Sequence, residues 1–131
     1  MSNLARWERE IAQLLARYKR GGADESERVA LIRTQNDFFR ATGKGGVMFM
    51  TPAIDERPDK ALILKRALTF FDFTPENDPH KEHDFGSFDL AGRRFIWKID
   101  YYDKSMTYGS EDPADSEQTT RVLTIMLAEE Y

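Results

Sequence analysis

The stretch Asn77-Asp78-Pro79-His80-Lys81-Glu82-His83-Asp84 is dense in groups that transfer protons or bind cations. Both histidines of the chain lie in it, beside three carboxylates. Imidazole titrates near neutral pH, and a neighbouring carboxylate orients it or shares a metal with it. His83, with Asp84 and with Asp100 from a later segment, is the candidate acid–base unit. Asp78, His80 and His83 are the candidate metal ligands, and Glu82 is a further orienting carboxylate. The spacing His-x-x-His matches no established zinc motif, and an extended backbone would send His83 and Asp84 to opposite faces. The same residues also read as a polar turn in which Asp78 caps backbone amides. No cofactor is expected.

Other chemistries are excluded or weakly marked. The chain has no cysteine, which removes disulfides, thiolate zinc sites and a cysteine nucleophile. Gly43-Lys44-Gly45-Gly46 lacks the spacing of a phosphate-binding loop and precedes a strand pattern rather than a helix, so it reads as a turn. Net charge is −4, unevenly spread: residues 1–20 carry +3 and residues 103–131 carry −5. Glu111, Asp112, Asp115 and Glu117 form an acidic loop suited to a partner protein with a basic surface. Arg6, Arg9, Arg17, Lys19 and Arg20 could instead touch nucleic acid. The charged start does not read as a signal peptide, and no membrane span is expected, so the expected setting is a reducing cytoplasm.

These side chains need elements to hold them. At 131 residues with 40% apolar content, the chain can bury one core. Leu4, Trp7, Ile11, Leu14 and Tyr18 recur at helical spacing, and Gly21-Gly22 stops that helix. Residues 1–22 are therefore a separable amphipathic helix, whose stripe must be covered by its own domain, a second copy or another protein. Asp24 with Glu27 has the capping-box pattern and opens a second helix, closed by Gly43. Gly45–Thr51 reads as a buried strand. Pro58 opens a third helix, which carries Leu62 to Phe71 and ends at Pro75.

The segment Phe85–Asp103 alternates as a strand pair around Ala91-Gly92. That turn pairs Leu90 with Arg93, Asp89 with Arg94 and Phe88 with Phe95, and sets Gly86 opposite Trp97. Continued further, it places His83 opposite Asp100. Trp97 and Tyr101 face the core, and Tyr102 and Lys98 face out. Lys104–Gln118 is a long polar loop. Residues 122–128 fit a final strand or a helix. The expected fold class is α+β: an antiparallel sheet of about four strands with helices on one side, in a single domain over 23–131, plus the N-terminal helix.

Ile32-Arg33-x-x-Asn36-Asp37-x-Phe39-Arg40, Asn77-Asp78-Pro79-x-x-Glu82-His83-Asp84-Phe85-Gly86, Phe95-x-Trp97-Lys98-Ile99-Asp100-Tyr101-Tyr102-Asp103, Gly109-Ser110-x-Asp112-Pro113-Ala114-Asp115 and Arg121–Tyr131 carry a resemblance. Over about residues 30–131 the chain resembles a family of small bacterial proteins known as a domain of unknown function, often borne on plasmids and other mobile elements. The resemblance supplies no catalytic residue and no cofactor. It implies a bacterial cytoplasmic protein, and its genomic company suggests a host-defence inhibitor. Three functions are thus expected in order: a non-enzymatic binding protein acting through the acidic loop, a His83-centred hydrolase with or without metal, and a DNA-associated regulator using the first helix.

Overall fold

The computed structural model describes residues 2–131. The Ser2 side chain accepts from the Ala5 N–H and starts α1, Asn3–Lys19. Asp24 accepts from the Glu27 N–H at 2.8 Å and starts α2, Glu25–Thr42. The Glu27 side chain pairs with Arg17 of α1 instead of turning back onto the cap. Gly43 ends α2 in the left-handed region, at φ 78°, where a side chain would be strained. Then follow β1 (Gly46–Met50), a single turn α3 (Pro52–Asp55), α4 (Lys60–Leu68), β2 (Phe85–Leu90), β3 (Arg93–Tyr102), β4 (Thr120–Leu127) and a closing 3₁₀ turn, Ala128–Glu130.

The protein is α+β, with a four-stranded and mostly antiparallel sheet of order β1-β4-β3-β2. The β2–β3 and β3–β4 pairs are antiparallel, whereas β1 runs parallel to β4. The hairpin register is the one the alternation requires: Leu90 faces Arg93, Asp89 faces Arg94, Phe88 faces Phe95 and Gly86 faces Trp97. Ala91 and Gly92 both have positive φ, as a two-residue turn matched to strand twist demands. Residues 120–127 are a strand because they are bonded on both sides, to β1 and to β3, and bury Val122 and Met126 as well as Leu123, Ile125 and Leu127.

One sheet face carries the core. Phe88, Phe95, Trp97, Ile99, Leu123, Ile125 and Leu127 meet Phe39 of α2, Ile54 of α3 and Ile63 and Ala67 of α4. The third helix is shorter than its apolar pattern suggests. It begins at Lys60 rather than Pro58 and stops at Leu68, so Phe70, Phe71 and Phe73 lie beyond it. Phe70 and Phe73 bend back edge-on to Trp97, at ring distances of 5.8 and 6.1 Å, while Phe71 is left in solvent.

The amphipathic stripe of α1 is covered by its own domain. Trp7 lies edge-on to Phe38, with ring centroids 5.4 Å apart, and Leu14, Leu15 and Tyr18 pack on the cluster of Leu31, Ile32 and Ala114. No residue of α1 is buried.

The tightest packing is at Gly86, where a Cβ would stand 2.3 Å from Trp97 Nε1. Overfilling a packed core costs about 1–3 kcal/mol. Gly86→Ala is therefore expected to lower the urea midpoint at unchanged slope. A midpoint equal to that of the unaltered protein would mean that the indole is not seated against β2.

Candidate functional site

His83 has a left-handed backbone, φ 55°, and this decides where its ring goes. The β2–β3 ladder closes at Phe85 opposite Lys98, with one further bond from the Ile99 N–H to the Asp84 carbonyl. His83 therefore leaves the sheet instead of lying opposite Asp100. Its ring stacks on Phe73 at 3.8 Å between centroids, with planes 5° apart. Nδ1 is 2.9 Å from Asp37 Oδ1, on α2. Nε2 is 3.6 Å from Asp78 Oδ2, too long for a hydrogen bond. The buried Asp78 accepts the His83 backbone N–H through its other oxygen, at 3.2 Å. Asp100 lies on the outer sheet face, paired with Lys98 at 2.5 Å.

Arg40 buttresses the site from below. It is buried with its guanidinium carbon 4.4 Å from the centre of the Trp97 ring, and it donates to the Ala67 carbonyl at 3.0 Å. Its nearest carboxylate contact is Asp37, at 3.8 Å. Burial pulls its pKa down, and Asp37 opposes this.

A polar chain continues from this site through the core. Asn36 is fully buried and donates to the Glu82 carbonyl at 2.9 Å and to Tyr101 Oη at 2.8 Å. Its Oδ1 accepts from Arg121 Nε at 2.6 Å. Tyr101 in turn donates to Glu82 Oε1 at 2.7 Å. Burial, with the Glu82 charge, drives the Tyr101 pKa up, so the phenol is held as a donor. Burial also brings Arg121 down to about 10, a value that still leaves it a cation at neutral pH. Its Nη2 donates to the Pro113 carbonyl at 2.9 Å.

The other expected residues are dispersed. His80 is exposed and sits with Glu25, Glu27 and Arg33 at a separate groove. Among the described residues, no three His, Asp or Glu side chains converge to hold a metal ion, so Asp78, His80 and His83 do not form one ligand set. Asp84 is half-buried beside Glu82 and accepts no side-chain hydrogen bond from another residue among those described. In the acidic loop, Asp112 accepts from Tyr18 at 2.7 Å and pairs with Arg28 at 3.4 Å. Asp115 and Glu117 both meet Lys19, at 3.5 and 2.5 Å. Arg6, Arg9 and Arg20 are exposed and join no ion pair among the described residues, whereas Arg17 pairs with Glu27.

The residues missing from the sequence-based site are Asn36, Asp37 and Arg40. Asn36 follows Ile32 by four positions and therefore sits on the apolar stripe of α2. A polar residue in a core register is the signal that would have found it, because a buried amide must have partners.

The chain belongs to a family described as a protein of unknown function (DUF3768), whose model matches residues 50–130. None of the curated proteins and none of the solved structures matches it. The matched span holds the His83 loop and β2 to β4, while Asn36, Asp37 and Arg40 on α2 precede it. Among the described residues, no helix is long and apolar enough to cross a membrane.

Burial, then the Glu82 and Asp78 charges, push the Asp84 carboxyl above its usual range. Its ionised form therefore weakens the fold. The favourable contribution is complete below the unfolded pKa, about 3.9, and is lost as pH rises through the higher folded value. Asp84→Asn is expected to be more stable than the unaltered protein at pH 7, by thermal or urea unfolding, with the gap closing below about pH 4. A variant less stable at pH 7 would show that the ionised carboxylate has a stabilising partner.

Proposed function

We propose that this chain is a non-enzymatic binding protein that takes a basic side chain of a partner protein into the acidic loop groove. The groove, about 380 Å³, is lined by Asp103, Tyr108, Glu111 and Glu117, with Lys104 at its wall. That groove is the observation that carries the reading. Tyr108 is 73% exposed, so its ring is open to an incoming side chain. The Asp103 carboxylate is held below the usual range by hydrogen bonds from the Ser105 hydroxyl and the Thr107 N–H, so it stays charged at neutral pH. An aromatic face beside carboxylates suits a lysine or arginine, by cation–π attraction and Coulomb steering.

The loop contributes its four acids unequally. Asp112 and Asp115 point toward the first helix, Glu117 is shared with Lys19, and Glu111 is exposed at the groove. The binding role fits a bacterial cytoplasmic protein borne by a mobile element, and an inhibitor of a host-defence nuclease is its sharpest form. Such nucleases grip DNA through basic surfaces, which the groove would complement.

A hydrolytic reading has one specific support: His83, hydrogen-bonded to Asp37, lines an open groove of about 400 Å³ that also contains Asp78, Arg33 and Lys81. Phosphodiester turnover that disappears in His83→Asn would establish it. Absence of turnover with and without added zinc, manganese or magnesium would remove it.

The binding reading is tested by capture from bacterial lysate at low and high salt. One partner should be retained at low salt and released at high salt, because exposed charge attraction is screened. Glu111→Lys combined with Tyr108→Ala should abolish retention, and Lys19→Ala, which frees Glu117, should strengthen it. Retention unaffected by the double substitution would sink the assignment of this groove.

A further inference from the structure

The outer side of α1 carries a row of arginines. Arg6, Arg9, Gln13, Arg17 and Arg20 recur at spacings of three, four, four and three, so they share one helical face, with Arg20 at the C-cap. All five are exposed. The row runs almost opposite Trp7, Leu14 and Tyr18, which pack on the rest of the protein, and so points into solvent. At about 1.5 Å of rise per residue it is about 21 Å long.

Little in the protein neutralises this row. Among the described residues Arg6, Arg9 and Arg20 join no ion pair, and Arg17 pairs with Glu27. Glu10 lies at the edge of the row, whereas Glu8 projects from the far side of the helix, where Lys44 meets it at 3.2 Å. The row keeps a positive excess although the chain as a whole carries −4. Its composition selects the partner. It contains no apolar or aromatic residue, whereas a protein interface takes most of its energy from a desolvated apolar or aromatic centre. Single-stranded nucleic acid needs aromatic platforms for its bases, and the row has none. A membrane surface would take up the apolar stripe of α1, which is already packed on its own domain. Duplex phosphate asks for none of these, because release of its condensed counterions supplies affinity by itself. The guanidinium fork matches phosphate oxygens in pairs. A helix also fits the B-form major groove, about 12 Å wide, but not the narrow major groove of duplex RNA.

We propose that the arginine row of α1 binds the phosphates of double-stranded DNA without reading its sequence. Arg6, Arg9 and Arg20 make the charged contacts, and the Gln13 amide donates to the same backbone from between them. The surface shares no residue with the acidic loop groove, so this function is additional to the capture of a basic side chain.

The test is fluorescence anisotropy of a labelled DNA duplex titrated with the full chain, at salt from about 50 to about 200 mM. Three phosphate contacts give a slope of about −2.7 in log K against log salt, and thus a loss of affinity of about 40-fold over that range. Arg6→Gln, Arg9→Gln and Arg20→Gln together are expected to weaken binding at the low salt by about tenfold or more and to remove that slope. All three positions are exposed, so the circular dichroism spectrum should not change. Lys60→Gln, Lys65→Gln and Lys104→Gln together remove the same charge from exposed positions elsewhere and should leave most of the affinity in place. No binding of the duplex at the low salt would overturn the proposal, as would undiminished binding by the triple arginine variant. An equal loss in the triple lysine variant would do so too, as would tighter binding of the single strand or of polyglutamate than of the duplex.

Discussion

A guanidinium enclosed in the core without a carboxylate must be satisfied by neutral acceptors, and the placement of Arg121 makes that requirement the hinge of this structure. Arg121 sits in β4 and bonds to Asn36 in α2 and to the carbonyl of Pro113 in the acidic loop. Asn36 then bonds to Glu82 and Tyr101, one in the loop before β2 and the other in β3. A single polar chain thereby ties a helix, two strands and two loops. Breaking any member strands a buried donor or acceptor, which costs more than the bond itself contributes. This is why the long loops at 69–84 and 103–119 hold defined positions with little regular structure of their own.

The His83 cluster follows from that chain. Asn36 holds the Glu82 carbonyl, Asp78 holds the His83 N–H, and the left-handed turn between them presents the imidazole to Asp37. Phe73 covers one face of the ring. Much of what makes the cluster look reactive is spent on pinning the loop to α2. The surface groups are less committed: Tyr108 and Glu111 on one side, and on the other Arg6, Arg9 and Arg20, which are exposed and join no ion pair among the described residues.

Charge asymmetry along the chain has an internal use. Lys19 and Tyr18 of the basic first helix meet Asp115, Glu117 and Asp112 of the acidic loop, and Arg28 of α2 joins Asp112. These pairs are partly exposed, so each contributes little alone. Together with Trp7 on Phe38 they seat a helix that buries no residue fully. The light seating leaves the groove beneath α1 open.

The hairpin was legible because its information is local. Strand alternation, two turn residues and a glycine facing a tryptophan fix a register within eighteen residues of chain, and a slip by one would turn every side chain over. Caps at Asp24 and Gly43 were legible for the same reason. The acid–base site was not. His83 pairs with a residue 46 positions away, on a helix whose polar positions looked like interruptions of an apolar face. The parallel run of β1 beside β4 was equally out of reach, since strand direction depends on which edge the chain returns to. What residue order alone established here was therefore the set of elements and their inward faces. Folding in space chose the partners of Arg121, His83 and the acidic loop, because long-range burial dictates which polar groups must find one another.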